Sequence, residues 1–241
     1  MTGVYKIAGK VIQISSVYED VHTLCKDYAC GESAELKVVT EQHHIENERK
    51  KSYAENIKEG IPPINYPDGY LETLAVYRII ADNMPRWSTL LFHGSAIAVD
   101  GEAYLFTAKS GTGKSTHTRL WRELFGDRAV MINDDKPLIR FTDEGAVIYG
   151  TPWNGKHRLG ENISAPLKAV CVLERGKENR IVKAEKSEVY HMLLQQTHRP
   201  CDPAMLARTL MLLDNMGKIG LYKLSCNMDI SAAQVAYNGM R

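Results

Sequence analysis

The sequence predicts an α/β fold: a mixed sheet around a glycine-rich strand–helix junction, preceded by a small α+β region. Three observations predict it. Across residues 89–241, short apolar runs punctuated by Gly, Asp and Pro alternate with stretches of helical spacing. One of those runs, Ala103–Thr107, leads directly into Ala108-Lys109-Ser110-Gly111-Thr112-Gly113-Lys114-Ser115-Thr116, which opens a helix. Residues 1–88 have a different texture, with a hairpin signal, a long polar run and one amphipathic stretch. The expected organisation is an N-terminal region at 1–88 and a second region at 89–241.

Taken in order, Val4–Ala8 and Val11–Ile14 alternate as strands around a turn at Gly9-Lys10. Residues 41–60 are so polar that they read as a solvated helix or a mobile loop. Leu71, Leu74, Ala75, Arg78 and Ile79 fall at helical spacing, and Pro85 closes that helix. Thr89–His93, Ile97–Val99 and Ala103–Thr107 read as strands, the last two joined by an Asp100-Gly101 turn. Ser115–Phe125 reads as a helix and Ala129–Ile132 as a short strand. Residues 137–150 form a hairpin turning at Asp143-Glu144-Gly145, and Ala169–Leu173 is a buried strand. Two helices follow, marked by Val189, Met192, Leu193, Gln196 and by Met205, Leu206, Thr209, Leu210, Leu213. A strand at Gly220–Leu224 and a short terminal helix complete the pattern, and the Met/Leu stripe of 205–216 reads as core.

Composition narrows the function classes. The 30 Lys+Arg and 29 Asp+Glu of the 241 residues leave a net charge of +1, which argues against coating nucleic acid or an anionic membrane. No apolar run approaches the roughly 18 residues of a membrane span. The N-terminus lacks the charged-then-apolar layout of a signal peptide. Five cysteines with no CxxC spacing do not suit a disulfide scaffold or a four-thiolate zinc site. The expectation is a cytoplasmic protein with no nucleic-acid or membrane partner; a homo-oligomer is compatible with the sequence.

The strongest chemical signal is the segment 108–116. Glycines let backbone N–H groups turn onto phosphate oxygens, and the helix start adds the positive end of its dipole. Lys114 can reach the β- and γ-phosphates and the Ser115 hydroxyl can ligate Mg²⁺. Against the GxxxxGK[ST] pattern, Ala108 stands where the first Gly would be. Asn133-Asp134-Asp135, at the end of an apolar strand, supplies a carboxylate for metal and a second one to accept a proton. His93-Gly94-Ser95 also ends an apolar strand. In the loop Gly150–Arg158, Lys156, His157 and Arg158 offer cations to a transferring phosphoryl group. His117, in the first turn after the glycine loop, reads either as a phosphate contact or as a surface residue.

Phe92-His93-Gly94-Ser95, Ser110–Thr116 and Asn133-Asp134-Asp135, in this order, resemble the catalytic domain of the HPr serine kinase/phosphorylase family, which is related to the phosphoenolpyruvate carboxykinases. The resemblance covers residues 89–175 well, is looser beyond, and is not seen before residue 85. It implies a P-loop kinase that moves the γ-phosphoryl of ATP onto a serine hydroxyl with the help of Mg²⁺. Carried over, Ser110, Gly111, Thr112, Gly113, Lys114, Ser115 and Thr116 bind the nucleotide, with Ser115 and Asp134 on the metal. Asp135 is then the base, assisted by His93, with Arg158 and Lys156 as catalytic cations. The family's acidic, Arg-containing signature is replaced here by Pro152-Trp153-Asn154-Gly155-Lys156, so phosphatase activity is not implied. The N-terminal region does not match, so HPr itself is not implied as acceptor. A small-molecule alcohol kinase and a non-catalytic ATP-binding regulator are the alternatives.

Overall fold

The computed structural model describes residues 1–58 and 60–241, which separate into two units, Met1–Asn83 and Met84–Arg241. In the first, β1 (Thr2–Ile7) and β2 (Lys10–Ser15) pair antiparallel. Their turn is Ala8-Gly9, one residue earlier than the sequence suggests, with φ of 48° and 68°. Two left-handed residues match the twist of a two-residue hairpin, and Gly9 supplies one of them without steric cost. Helix α1 (Asp20–Cys25) leads to β3 (Leu36–Val39), which lies parallel to β2. Neither stands out in the sequence, because six and four residues are too few to display a period.

The polar run becomes α2 (Gln42–Lys58); Glu59 lies outside the described residues. Little of α2 is buried, but Glu48 is, and its carboxylate accepts from Arg78 Nε and Lys51 Nζ, each at 2.8 Å. Arg78 belongs to α3 (Asp68–Asn83), whose Leu71, Val76 and Ile80 are core residues. Two ion pairs to α3, Glu48–Arg78 and Arg49–Asp68, together with the buried Ile45, hold this wet helix. On α3, Glu72 is wholly buried and accepts from Val17 N–H and Tyr18 N–H at 2.7 Å and from Thr40 Oγ1 at 2.5 Å. Three donors offset the cost of burying that carboxylate.

In the second unit the strands are β4 (Thr89–Leu91), β5 (Ser95–Val99), β6 (Glu102–Thr107), β7 (Ala129–Asn133), β8 (Leu138–Thr142), β9 (Gly145–Tyr149), β10 (Ser164–Arg175), β11 (Arg180–Lys183) and β12 (Gly220–Cys226). Helix α4 (Lys114–Phe125) follows β6, α5 (Lys186–Gln196) and α6 (Pro203–Asn215) follow β11, and α7 (Ser231–Met240) follows β12. Among the described residues these strands form one nine-stranded sheet, which contains the run β12-β10-β6-β5-β7 with β7 at its edge. Strands β12, β10 and β6 are parallel, and β5 runs antiparallel to both β6 and β7. The C-terminal ends of β6, β7, β10 and β12 and the start of β5 consequently share one edge. The Asp100-Gly101 turn that reverses β5 into β6 has φ of 52° and 85°, the form this dipeptide predicts.

Strand alternation sorts the core onto two faces. Ala96, Ala98 and Leu105 pack with Val189, Leu193 and Leu213 of α5 and α6. Ile97, Val99, Tyr104 and Phe106 pack with Leu120 and Trp121 of α4 and with Ala232, Ala233 and Ala236 of α7. The Met/Leu stripe of 205–216 faces the core only in part, since Leu212, Leu213 and Met216 are buried while Met211 is 69% exposed. No described helix is long and apolar enough to cross a membrane.

Trp121 is wholly buried within an aromatic cluster of Tyr104, Phe106, Phe125 and Tyr237. Trp121→Ala should lower the unfolding free energy by about 3–5 kcal/mol. Met211→Ala, at an exposed site, should change it by less than about 0.5 kcal/mol. Urea unfolding of the two variants checks the pair, and equal midpoints would remove Trp121 from the core.

Candidate active site

The chemistry-bearing segments of the second unit meet at the shared sheet edge. Residues 108–113 cross from β6 to α4, and Gly111 and Gly113 adopt φ of 73° and 124°. A β-carbon would strain either conformation, so both positions need glycine. Ala108 has no left-handed φ, so a methyl group is tolerated where a glycine was expected. Helix α4 begins at Lys114 without a side-chain cap, which leaves its first N–H groups at the positive end of the dipole. Lys114 folds back and donates from Nζ to Ala108 O at 3.2 Å. Burial lowers the pKa of its ammonium, against the pull of Asp135. From the end of β10, Arg175 holds two loop carbonyls, Nη2 donating to Gly111 O at 2.6 Å and Nε to Thr112 O at 3.5 Å.

At the end of β7, the buried Asn133 shapes the acidic pair. Its Oδ1 accepts from Asp135 N–H at 2.8 Å and Lys136 N–H at 2.7 Å. The two carboxylates end up in different surroundings. Asp134 is buried and accepts from Ser95 Oγ at 2.5 Å; Ser95 Oγ in turn lies 3.0 Å from Thr118 Oγ1 on α4. Asp135 is half-exposed, its Oδ1 lying 3.4 Å from His93 Nε2 and 3.1 Å from Lys136 Nζ.

His93 is tied in through its backbone, its N–H donating to Gln196 O at 2.7 Å while Gly94 N–H donates to Asp135 O at 3.1 Å. Burial, then the nearby Lys136 and Lys114 charges, push the imidazole down to about 4 despite Asp135. His93 is therefore neutral at pH 7, and its approach to Asp135 is a polar contact rather than an ion pair.

The structure brings the backbone of the 150–158 loop to the acidic turn. Thr151 Oγ1 donates to Lys136 O at 2.8 Å, Lys136 N–H donates to Trp153 O at 3.2 Å, and a β-carbon on Gly155 would lie 3.5 Å from Asp134 O. The loop's cations are not drawn in. Lys156, His157 and Arg158 are exposed, and among the described residues their side chains make no hydrogen bond or ion pair. His117 is neither a surface residue nor free toward a ligand through Nε2. It is buried against Phe106, and its Nε2 accepts from Trp121 Nε1 at 3.0 Å. Burial pushes its pKa down to about 4.

Among the described residues no group of three or more His, Cys, Asp or Glu could hold a metal by itself. Mg²⁺ needs less, because one carboxylate with phosphate oxygens and water completes its shell. The hydrogen bonds from Asp134 through Ser95 to Thr118 join the end of β7 to the first turns of α4, where the exposed Ser115 stands. Beside the loop, a cavity of about 440 Å³ is lined by Gly111, Thr116, Leu120, Leu173, Arg175 and Met228.

Sequence reasoning passed over Lys136, Arg175 and Gln196. Lys136 had a signal, since it directly follows the acidic pair. Arg175 and Gln196 arrive from distant elements and had none.

No protein-family model matches the sequence, and no curated protein does. Among solved structures, the Hpr(Ser) kinase/phosphatase from Coxiella burnetii is similar at 13% identity with a TM-score of 0.31, covering 61% of this chain and 94% of that one. That likeness is weak.

His93 and His117 both have native pKa values of about 4, below the ~6.5 of an unfolded histidine. Between those values the unfolded chain binds the protons, so stability falls as pH drops from about 6.5 to about 4 and has no slope from these groups above 6.5. Denaturant midpoints across that range, in the parent and in His117→Gln, test this. A parent with flat stability would contradict the neutral burial of both rings.

Proposed function

We propose that this protein is an ATP- and Mg²⁺-dependent kinase that transfers the γ-phosphoryl group to a hydroxyl acceptor, most readily a serine of a protein or peptide. One observation carries the reading: a half-exposed carboxylate, Asp135, stands beside a neutral imidazole, His93, within the field of Lys114 at the mouth of the glycine loop. A nucleotide switch needs the loop, a lysine and one metal carboxylate; a second carboxylate facing solvent serves an acceptor.

In this reading the N–H groups of Gly111–Thr116 and the Lys114 ammonium hold the phosphates, and the cavity beside the loop takes the nucleoside. Ser115 and Asp134 would hold Mg²⁺, which supplies charge neutralisation at the phosphates when bound. Asp135 accepts the proton of the incoming hydroxyl. The hydroxyl oxygen bonds to the γ-phosphorus as the bond to the β–γ bridging oxygen breaks, and that electron pair leaves on the diphosphate. His93 orients Asp135 and, being neutral, does not compete for its charge. Lys156 and Arg158 stay in this reading as cations at the rim.

Lys114→Ala should lose most affinity for ATP, because it removes the ammonium that the loop itself supplies. Asp135→Asn should keep ATP binding within a few-fold and slow transfer by about 10²–10⁴-fold. Asp134→Asn should shift activity to higher Mg²⁺. The measurement is label transfer from γ-labelled ATP to fractionated lysate, beside nucleotide binding by fluorescence. A parent that binds ATP and labels no protein or metabolite fits the regulator instead, and normal transfer by Asp135→Asn would place the base elsewhere.

A further inference from the structure

Transfer spreads negative charge over the three equatorial oxygens of the moving phosphoryl group, and cations fixed near those oxygens lower the barrier. Lys114 is one such cation. The loop cations favoured from sequence, Lys156 and Arg158, are exposed and held by no side-chain partner among the described residues. Lys136 differs on every count. Its backbone is fixed at three points: N–H to Asn133 Oδ1 at 2.7 Å, N–H to Trp153 O at 3.2 Å, and its carbonyl accepting from Thr151 Oγ1 at 2.8 Å. Its side chain is 21% exposed and its ammonium rests on Asp135 Oδ1 at 3.1 Å, the oxygen that also faces His93. It also bears electrostatically on both His93 and Lys114.

We infer that Lys136 is a further catalytic residue, a second ammonium that leaves Asp135 and contacts the transferring phosphoryl group. The inference rests on the kinase reading. At rest, the Lys136–Asp135 pair keeps the base occupied. When a triphosphate enters, its γ-oxygens compete for Lys136 with higher charge density than one carboxylate. The ammonium moves to them with all its protons and leaves Asp135 Oδ1 free to accept the proton of the acceptor hydroxyl. The pair thus couples arrival of the phosphoryl donor to release of the base. The move of Lys136 itself makes and breaks no covalent bond; in the transfer that follows, the acceptor's O–H bond breaks and an O–H bond forms on Asp135, and the atom balance is otherwise that of the transfer above.

The test pairs binding with single-turnover chemistry, using ATP–Mg²⁺ with water as the acceptor and ADP–Mg²⁺ with aluminium fluoride as a mimic of the moving phosphoryl group. Lys136→Met should bind ADP within a few-fold of the parent and release phosphate about 10²–10³-fold more slowly. It should also lose the gain in affinity that aluminium fluoride gives the parent. Lys136→Arg, which keeps the charge, should recover most of both. If Lys136→Met fails to bind ADP, Lys136→Gln takes its place with the same expectations. A neutral variant that keeps the fluoride-dependent gain, or slows phosphate release by less than about threefold, overturns the inference. A parent that shows neither phosphate release nor a fluoride effect and labels no acceptor overturns the kinase reading, and this inference with it; a parent that labels an acceptor but gains no affinity from aluminium fluoride overturns this inference alone.

Discussion

Four hydrogen bonds converge on the side-chain amide of Asn133, and the candidate site depends on them. Its oxygen accepts from Asp135 N–H and Lys136 N–H; its nitrogen donates to Thr151 O at 3.2 Å and Thr151 Oγ1 at 3.0 Å. An amide has two donors and two acceptor lone pairs, so its capacity is used up. Because the residue is wholly buried, leaving any of these unmade would cost the desolvation of that group. One side chain thus turns the chain after β7, aims Asp134 and Asp135 apart, and anchors the loop that begins at Thr151.

The N-terminal unit uses the same physics with a carboxylate. Glu72 is wholly buried, and its three donors come from the loop after β2 and from the residue after β3. A buried polar group that is fully bonded holds segments in register where apolar contact alone would let them slide. Asn133 ends β7, and the donors to Glu72 follow the ends of β2 and β3, so both groups fasten the places where a strand gives way to irregular backbone.

Around Asp135 the charges nearly balance. Two carboxylates face two ammonium groups, and the imidazole between them is neutral because burial and both lysines disfavour its proton. Partial burial strengthens each of these interactions relative to water. The 150–158 loop contributes the opposite balance, with its backbone bonded inward and its cations in solvent.

The local features were legible because local rules decide them. Asp100-Gly101 prefers the hairpin turn it makes, Gly111 and Gly113 fill left-handed positions, and the apolar run before Ala108 ends as a strand feeding a helix. The sequence by itself therefore determined an α/β fold with a glycine loop between strand and helix, and the residue types needed for chemistry on either side of it. The tertiary structure alone decided which of them meet. Insertion of β5 between β6 and β7 carries His93 to Asp135, and the loop's course leaves Lys156 and Arg158 outside while Lys136 lies within. His117 joins the core because Phe106 and Trp121 close over it. Burial, ion pairing and protonation depend on groups brought from distant parts of the chain, and no local pattern encodes those distances.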